Sequence, residues 1–406
     1  MERNKFFAIL NMAASVIMIL TLVSAASAQH SFKVLYQFPG VETGFAPSNS
    51  PIFDAAGNLY GSLVESDYNT GMVYKLTPNP DGSWTMSELY QFTGGADGAA
   101  PQGDLIFDAA GNLYGTTVNL FGGVGAGVVF KLTPNPDGTW TESVLYSFTG
   151  GADGGYPYGG VIMDAAGNLY GTTYSGGTSS AGTVFKLTPN PDGTWTESVL
   201  HSFTGGADGA NPQAGLIFDA ASDLYGTTPS GGAGGGVVFK LTSTPDGTWT
   251  QSVLYTFAHA RNGANPEGRL VLDTTGNLYG TTLRGGATGS GTVLQLQKNS
   301  DGSWTEHVLH RFKGGSEGCF PQAGLTADNY GNLYGTTENC GDYGYGIAFK
   351  MTKHKSGSWT GQVLHQFTVN DGIGPKRMIF DKAGNLYGTA DAGGAYGYGT
   401  VFEIVR

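Results

Sequence analysis

Charge is scarce in this chain. Only 13% of its 406 residues are charged, and the acidic ones prevail, giving a net charge of −12. That balance excludes a nucleic-acid partner held through its phosphates, which needs a basic stripe. Disorder is excluded as well, because 40% of the residues are hydrophobic. Cysteine is nearly absent, with two in all, so no disulfide-dense scaffold is possible. Seven scattered histidines do not converge on a metal site. The His-Glu-x-x-His helix of zinc proteases is missing. Beyond residue 23 no apolar run is long enough to span a membrane. Apolar residues nowhere recur at helical spacing.

Glycine, by contrast, is abundant, with 68 copies. Much of it belongs to one recurring stretch, typified by Phe107-Asp108-Ala109-Ala110-Gly111-Asn112-Leu113-Tyr114-Gly115-Thr116-Thr117. The stretch occurs seven times, with its aspartate at Asp54, Asp108, Asp164, Asp219, Asp273, Asp328 and Asp381. Successive Asn58, Asn112, Asn168, Asp223, Asn277, Asn332 and Asn385 lie 54, 56, 55, 54, 55 and 53 residues apart. A fixed period of this size marks a propeller, solenoid or array. Each copy reads as four strands, a to d, separated by turn residues: Asp-x-x-Gly between a and b, and Pro-Asp-Gly types between c and d. Four antiparallel strands per repeat make a propeller blade. The expected fold is therefore all-β, a seven-bladed β-propeller with four antiparallel strands per blade.

The chain stops on a c strand, Val401-Phe402-Glu403-Ile404-Val405-Arg406, and so lacks the last d strand. Val34-Leu35-Tyr36-Gln37-Phe38 matches the d strand Val144-Leu145-Tyr146-Ser147-Phe148 and is expected to supply it, pairing with the last c strand and closing the ring. Ahead of it, Arg3 and Lys5, the apolar stretch Phe6 to Val23 and Ala26-Ser27-Ala28 have the form of a signal peptide over residues 1–28. An uncleaved N-terminal membrane anchor is the alternative. Residues 29–406 are expected to form one domain, secreted or periplasmic and monomeric. Cys319 and Cys340 fall in loops at the same end of one repeat. In an exported chain they are expected to form a disulfide, the alternative being two free thiols.

Function on a repeat scaffold sits where the copies differ, in loops on one face. The d-to-a and b-to-c loops share the upper face. With strand a innermost, the residues after each d-to-a proline ring the channel mouth: Ser48, Gln102, Tyr158, Gln213, Glu267, Gln322 and Lys376. Just before those prolines Asp97, Asp153, Asp208, Glu317 and Asp371 recur, either to fix turns or to collect a cation. After residue 28 there are six arginines, and none precedes Arg261. Arg261, Arg269, Arg284 and Arg377, with Lys376, map to the upper face of repeats 5 and 7. They predict a local positive patch able to take an anionic small molecule or an acidic glycan through paired donors. Tyr158 stands in the same ring as a stacking surface, and Glu267 beside Arg269 is the one unusual charged pair. No catalytic set, cofactor motif or metal set is expected.

The unit Gly-Asn-Leu-Tyr-Gly-Thr-Thr…Gly-Gly…Gly-Thr-Val-Phe-Lys-Leu resembles the GloVer tandem repeat of bacterial exported proteins, over residues 31–406. In that family a repeat array is joined to one of several surface anchors. No anchor follows Arg406, so a released or periplasmic form is expected. The resemblance implies no reaction. The expectation is a non-catalytic binding or interaction module of the cell envelope or exterior, with a propeller lyase or hydrolase of an anionic saccharide or lactone as the alternative.

Overall fold

The computed structural model describes residues 30–40, 44–65, 70–119, 125–258 and 261–406. The signal-peptide reading of residues 1–28 lies outside the described residues. Seven antiparallel sheets follow one another along the chain, one per repeat. In repeat 3 the strands are Val161–Met163, Leu169–Thr173, Thr183–Pro189 and Trp195–Ser202, paired in that order. The first and last sheets carry a fifth short strand, Phe45–Pro47 and Ile373–Pro375 respectively, paired to the upper end of strand b.

The ring closes as the chain ends required. Ser31–Gln37 pairs antiparallel with Thr400–Val405, from Ser31 opposite Val405 to Gln37 opposite Thr400. A bulge at Leu35 breaks the register there, and the same bulge recurs where c meets d in other blades, for instance between Val144 and Tyr146. The borrowed strand therefore copies the irregularity as well as the pairing.

Each residue of Leu-Tyr-Gly-Thr-Thr has a separate task. The leucines are fully buried. In repeat 2 the Tyr114 hydroxyl donates to Asp108 Oδ2 at 3.1 Å, while Asp108 Oδ1 accepts from the backbone N–H groups of Ala110 and Asn112. The aspartate thus fixes the a-to-b turn. Gly115 lies under the Phe130 ring, where an added Cβ would come within 2.5 Å of a ring carbon. In five blades the first hydroxyl, from Ser62 or a threonine, reaches the next blade: Thr116 Oγ1 donates to Pro157 O at 2.7 Å, and Thr389 Oγ1 in the last blade donates to Asn49 O in the first, also at 2.7 Å, while Thr227 and Thr281 make no such bond. The second threonine holds its own b-to-c loop, as Thr173 Oγ1 does on Ser175 O.

The cores lie between blades. One cluster joins Tyr60, Val73 and Phe92 of blade 1 to Leu105, Leu113, Phe130 and Leu132 of blade 2, with Trp140 packed at its edge. Trp140 meets the Tyr60 ring edge-on, as Trp249 meets Tyr170. His201 takes the place held by Tyr90 and Tyr146 in other blades, edge-on to Phe203 and 3.2 Å from Asp208 Oδ2. It is a packing residue, which agrees with a structural slot.

Candidate functional site

Strand a is short because the chain leaves the ladder after each d-to-a proline. The residue before that proline is left-handed in six repeats: Ala46, Ala100, Tyr156, Asn211, Asn265 and Phe320, with φ between 57° and 60°. Gly374 takes the place in the seventh, at φ 64°. This conformation costs roughly 1–2 kcal/mol for a residue with a Cβ. Hydrogen bonds on both sides hold it. Tyr156 N–H donates to Ala126 O of the preceding blade at 2.6 Å, and Tyr156 O accepts from Tyr174 N–H of its own blade at 3.0 Å. The sharp turn that results aims the next few residues at the axis.

Those residues line one axial cavity of about 430 Å³. Ser48, Gln102, Tyr158, Gln213, Glu267, Gln322 and Lys376 all border it. Below them runs an inner ring of Ser50, Asp104, Gly160, Gly215, Arg269 and Gly324, each three residues after its proline, with Arg377 closing the circle. Repeat 7 is one residue shorter here, so Arg377 follows its proline by two. Glycine at Gly160, Gly215 and Gly324 lets neighbouring blades approach: a Cβ on Gly160 would fall 2.7 Å from Asp104 O, and one on Gly324 2.8 Å from Arg269 N. It also leaves the axis open to three long side chains.

Arg377 reaches past blade 1 to Asp104 of blade 2, with Nη2 2.8 Å from Oδ2. Asp104 Oδ1 accepts from Ser50 N–H at 3.1 Å. Burial pushes the Asp104 carboxyl up, but Arg377, Arg269 and its hydrogen bonds outweigh that and hold it below the usual carboxylate range. Lys376 Nζ is 2.7 Å from Asp391 Oδ2. Arg269 differs. Among the described residues its guanidinium has neither ion pair nor hydrogen bond. Burial, then the charge of Arg377, lowers its pKa against the pull of Asp104. Glu267 Oε2 accepts from Gln322 Nε2 at 2.8 Å. Burial pushes the Glu267 carboxyl up, opposed by that hydrogen bond and by Arg284 and reinforced by Glu338. Tyr158 packs edge-on to Tyr174, with centroids 5.6 Å apart.

The expected patch is therefore of mixed sign. Among the described residues the cavity carries Arg269, Lys376 and Arg377 against Glu65, Asp104, Glu267 and Asp391. Two of the three cations are already paired. Sequence reading missed Asp104 and Asp391 because Asp104 lies far from Arg377 along the chain and Asp391 lies in an extension of strand b that repeats 2 to 6 lack. Arg261 and Arg284 are exposed and do not border the cavity. Arg261 O accepts from Arg311 Nε at 3.2 Å. The aspartates before the prolines fix turns, as where Asp97 Oδ2 accepts from Thr93 N–H at 2.8 Å and from the Tyr90 hydroxyl at 3.0 Å, whereas Glu317 pairs with Lys313 at 3.0 Å. Cys319 and Cys340 form a disulfide joining the d-to-a and b-to-c loops of repeat 6. Gly314-Gly315-Ser316-Glu317-Gly318 spells a Gly-x-Ser-x-Gly string that sequence reading passed over. It sits on a 3-10 turn, Gly315–Glu317, and lacks the strand-to-helix bend of a nucleophile elbow.

The Gloeobacter/Verrucomicrobia repeat matches residues 20–219, 122–326 and 300–406, which together cover nearly the whole chain. The chain belongs to this repeat family. Within the Gloeobacter/Verrucomicrobia repeat of this chain, the shared positions are those that build the turn, the core and the inter-blade hydrogen bonds. The cavity residues are those that differ between copies. No curated protein matches. Among solved structures, the chain is similar to PorZ, a surface component of the type-IX secretion system of Porphyromonas gingivalis, at 15% identity and a TM-score of 0.39. The match covers 86% of this chain and 55% of PorZ, so the chain spans about half the length of that relative.

Proposed function

We propose that this propeller repeat protein is an exported, non-catalytic binding module whose axial cavity takes a small anionic molecule or the acidic terminus of a glycan. The observation that carries the reading is the unpaired guanidinium of Arg269 in a cavity where Arg377 and Lys376 are already neutralised. A half-buried arginine with no ion pair or hydrogen bond favours an incoming carboxylate or phosphate, which it can grip through two parallel donors. Gln102 and Gln213 border the same space, and among the described residues their side chains have no partner. They supply donors and acceptors for hydroxyl groups. The Cys319–Cys340 bridge supports an oxidising compartment outside the cytosol.

Calorimetric titration with trigalacturonate, citrate and inorganic phosphate tests this. At least one should bind, and Arg269→Gln should weaken it tenfold or more, in line with about 1.5–3 kcal/mol for a charged hydrogen bond. Asp104→Asn should tighten it, since Arg377 is then released. Absence of binding to all three, or equal affinity in Arg269→Gln, removes the reading. An enzymatic reading has one observation in its favour: Glu267, beside Arg269, has a carboxyl that burial makes easier to protonate, as a general acid requires. Cleavage of trigalacturonate that Glu267→Gln abolishes would select it.

A further inference from the structure

We propose a second binding site, for the pyranose ring of a saccharide, on the lower face between blades 6 and 7. The repeat itself provides the control. Between the turn aspartate and glycine, the first three copies carry Ala55-Ala56, Ala109-Ala110 and Ala165-Ala166, and the fifth has Thr274-Thr275. Only the last two copies place larger groups there, Asn329-Tyr330 and Lys382-Ala383. These two turns are neighbours and border one groove of about 430 Å³. The same interface breaks the repeat a second time. Six d strands begin with tryptophan, and the borrowed strand has His30 instead. Arg406 covers that place. Its guanidinium carbon lies 4.6 Å from the centre of the Tyr334 ring and 5.3 Å from that of Phe380, and Nη2 is 3.2 Å from Asp328 Oδ2.

Tyr330 is 85% exposed on a turn that holds it rigidly, its N–H donating to Asp328 Oδ1 at 2.9 Å. A phenol ring displayed in this way contributes nothing to packing. It offers a flat apolar face with a polar tip, at little entropic cost to a ligand. Asn329, Arg406 and Lys382 line the same groove, with Lys382 Nζ turned toward blade 1, where it donates to Ala55 O at 3.3 Å. The groove's carboxylates are engaged, Asp381 by its own turn and Asp328 by its own turn and by Arg406. An aromatic platform rimmed by hydroxyl-binding donors suits a sugar ring. A nucleobase would stack equally well, but its phosphates meet a chain of net charge −12.

Affinity electrophoresis in native gels cast with hydroxyethylcellulose, xylan or galactomannan, which carry no acidic group for the axial cavity, tests the site. At least one polysaccharide should retard the protein. Tyr330→Ala, which removes only an exposed ring, should raise the apparent dissociation constant tenfold or more, and Lys382→Ala should raise it by a smaller factor. Tyr343→Ala, which removes an exposed ring from the opposite face, should be retarded like the parent. The proposal is overturned if no polysaccharide retards the protein, if Tyr330→Ala behaves as the parent, or if Tyr343→Ala alone abolishes retardation, which would place binding on the upper face.

Discussion

Single residues carry two kinds of information here, and they separate cleanly. Residues common to the copies solve local problems: Gly115 makes room for Phe130, and Thr116 ties one blade to the next. Residues that vary face the axis or the lower seam. A third group escaped the sequence, because it depends on which blades become neighbours. Glu142 and Glu197 lie on d strands, each facing the acidic turn of the preceding blade. Each has one carboxylate oxygen buried without a partner. Burial, reinforced by Asp97 for Glu142 and by Asp153 for Glu197, pushes both carboxyls up to about 7. Their unfolded values are about 4.3. The native state therefore holds more protons between those limits, and these two groups cost stability progressively as pH rises from about 4.3 to about 7. The double variant Glu142→Gln, Glu197→Gln should melt above the parent at pH 7.5 and nearly with it at pH 4.5, by calorimetry. An equal difference at both pH values would remove the proton linkage.

At the scale of elements, strands and turns were legible because each repeat restates the same alternation and the same turn chemistry. The break in strand a was not. It follows from a left-handed residue before proline, a conformation that Tyr156 and Phe320 do not advertise and that only the hydrogen bonds of two adjoining blades sustain. For the same reason the ring of cavity residues could be named from Ser48 to Lys376, while the charge balance inside it could not. Asp104 and Arg377 are 273 positions apart, and no periodicity links them. The disulfide joins two loops of one blade across a sequence separation of 21. Replacing both cysteines with serine should cost about 3 kcal/mol, from loop-closure entropy. Chemical denaturation of the oxidised parent and the double variant measures it. Identical midpoints would mean that the loops are held without the bridge.

For the whole molecule, stability is shared among interfaces between neighbours, so the seam between first and last sheet must match the others. Phe32 stacks on His365 at 3.6 Å and packs with Phe402, placing the borrowed strand inside the blade 6–7 core. A variant beginning at Pro39 loses this strand and exposes the edge of Thr400–Val405. It should aggregate or melt without cooperativity, as light scattering and calorimetry would report. A soluble, cooperatively melting truncation would show that the seam is dispensable.

That seam also imposes an order on biogenesis. The segment made first must wait for the one made last. Between the appearance of the final residues and closure, each chain carries two unmatched margins that are complementary to each other. Two unclosed molecules meeting at that stage can zip together end to end. Crowded synthesis would thus favour interlocked pairs, and slow dilution would favour closed single rings.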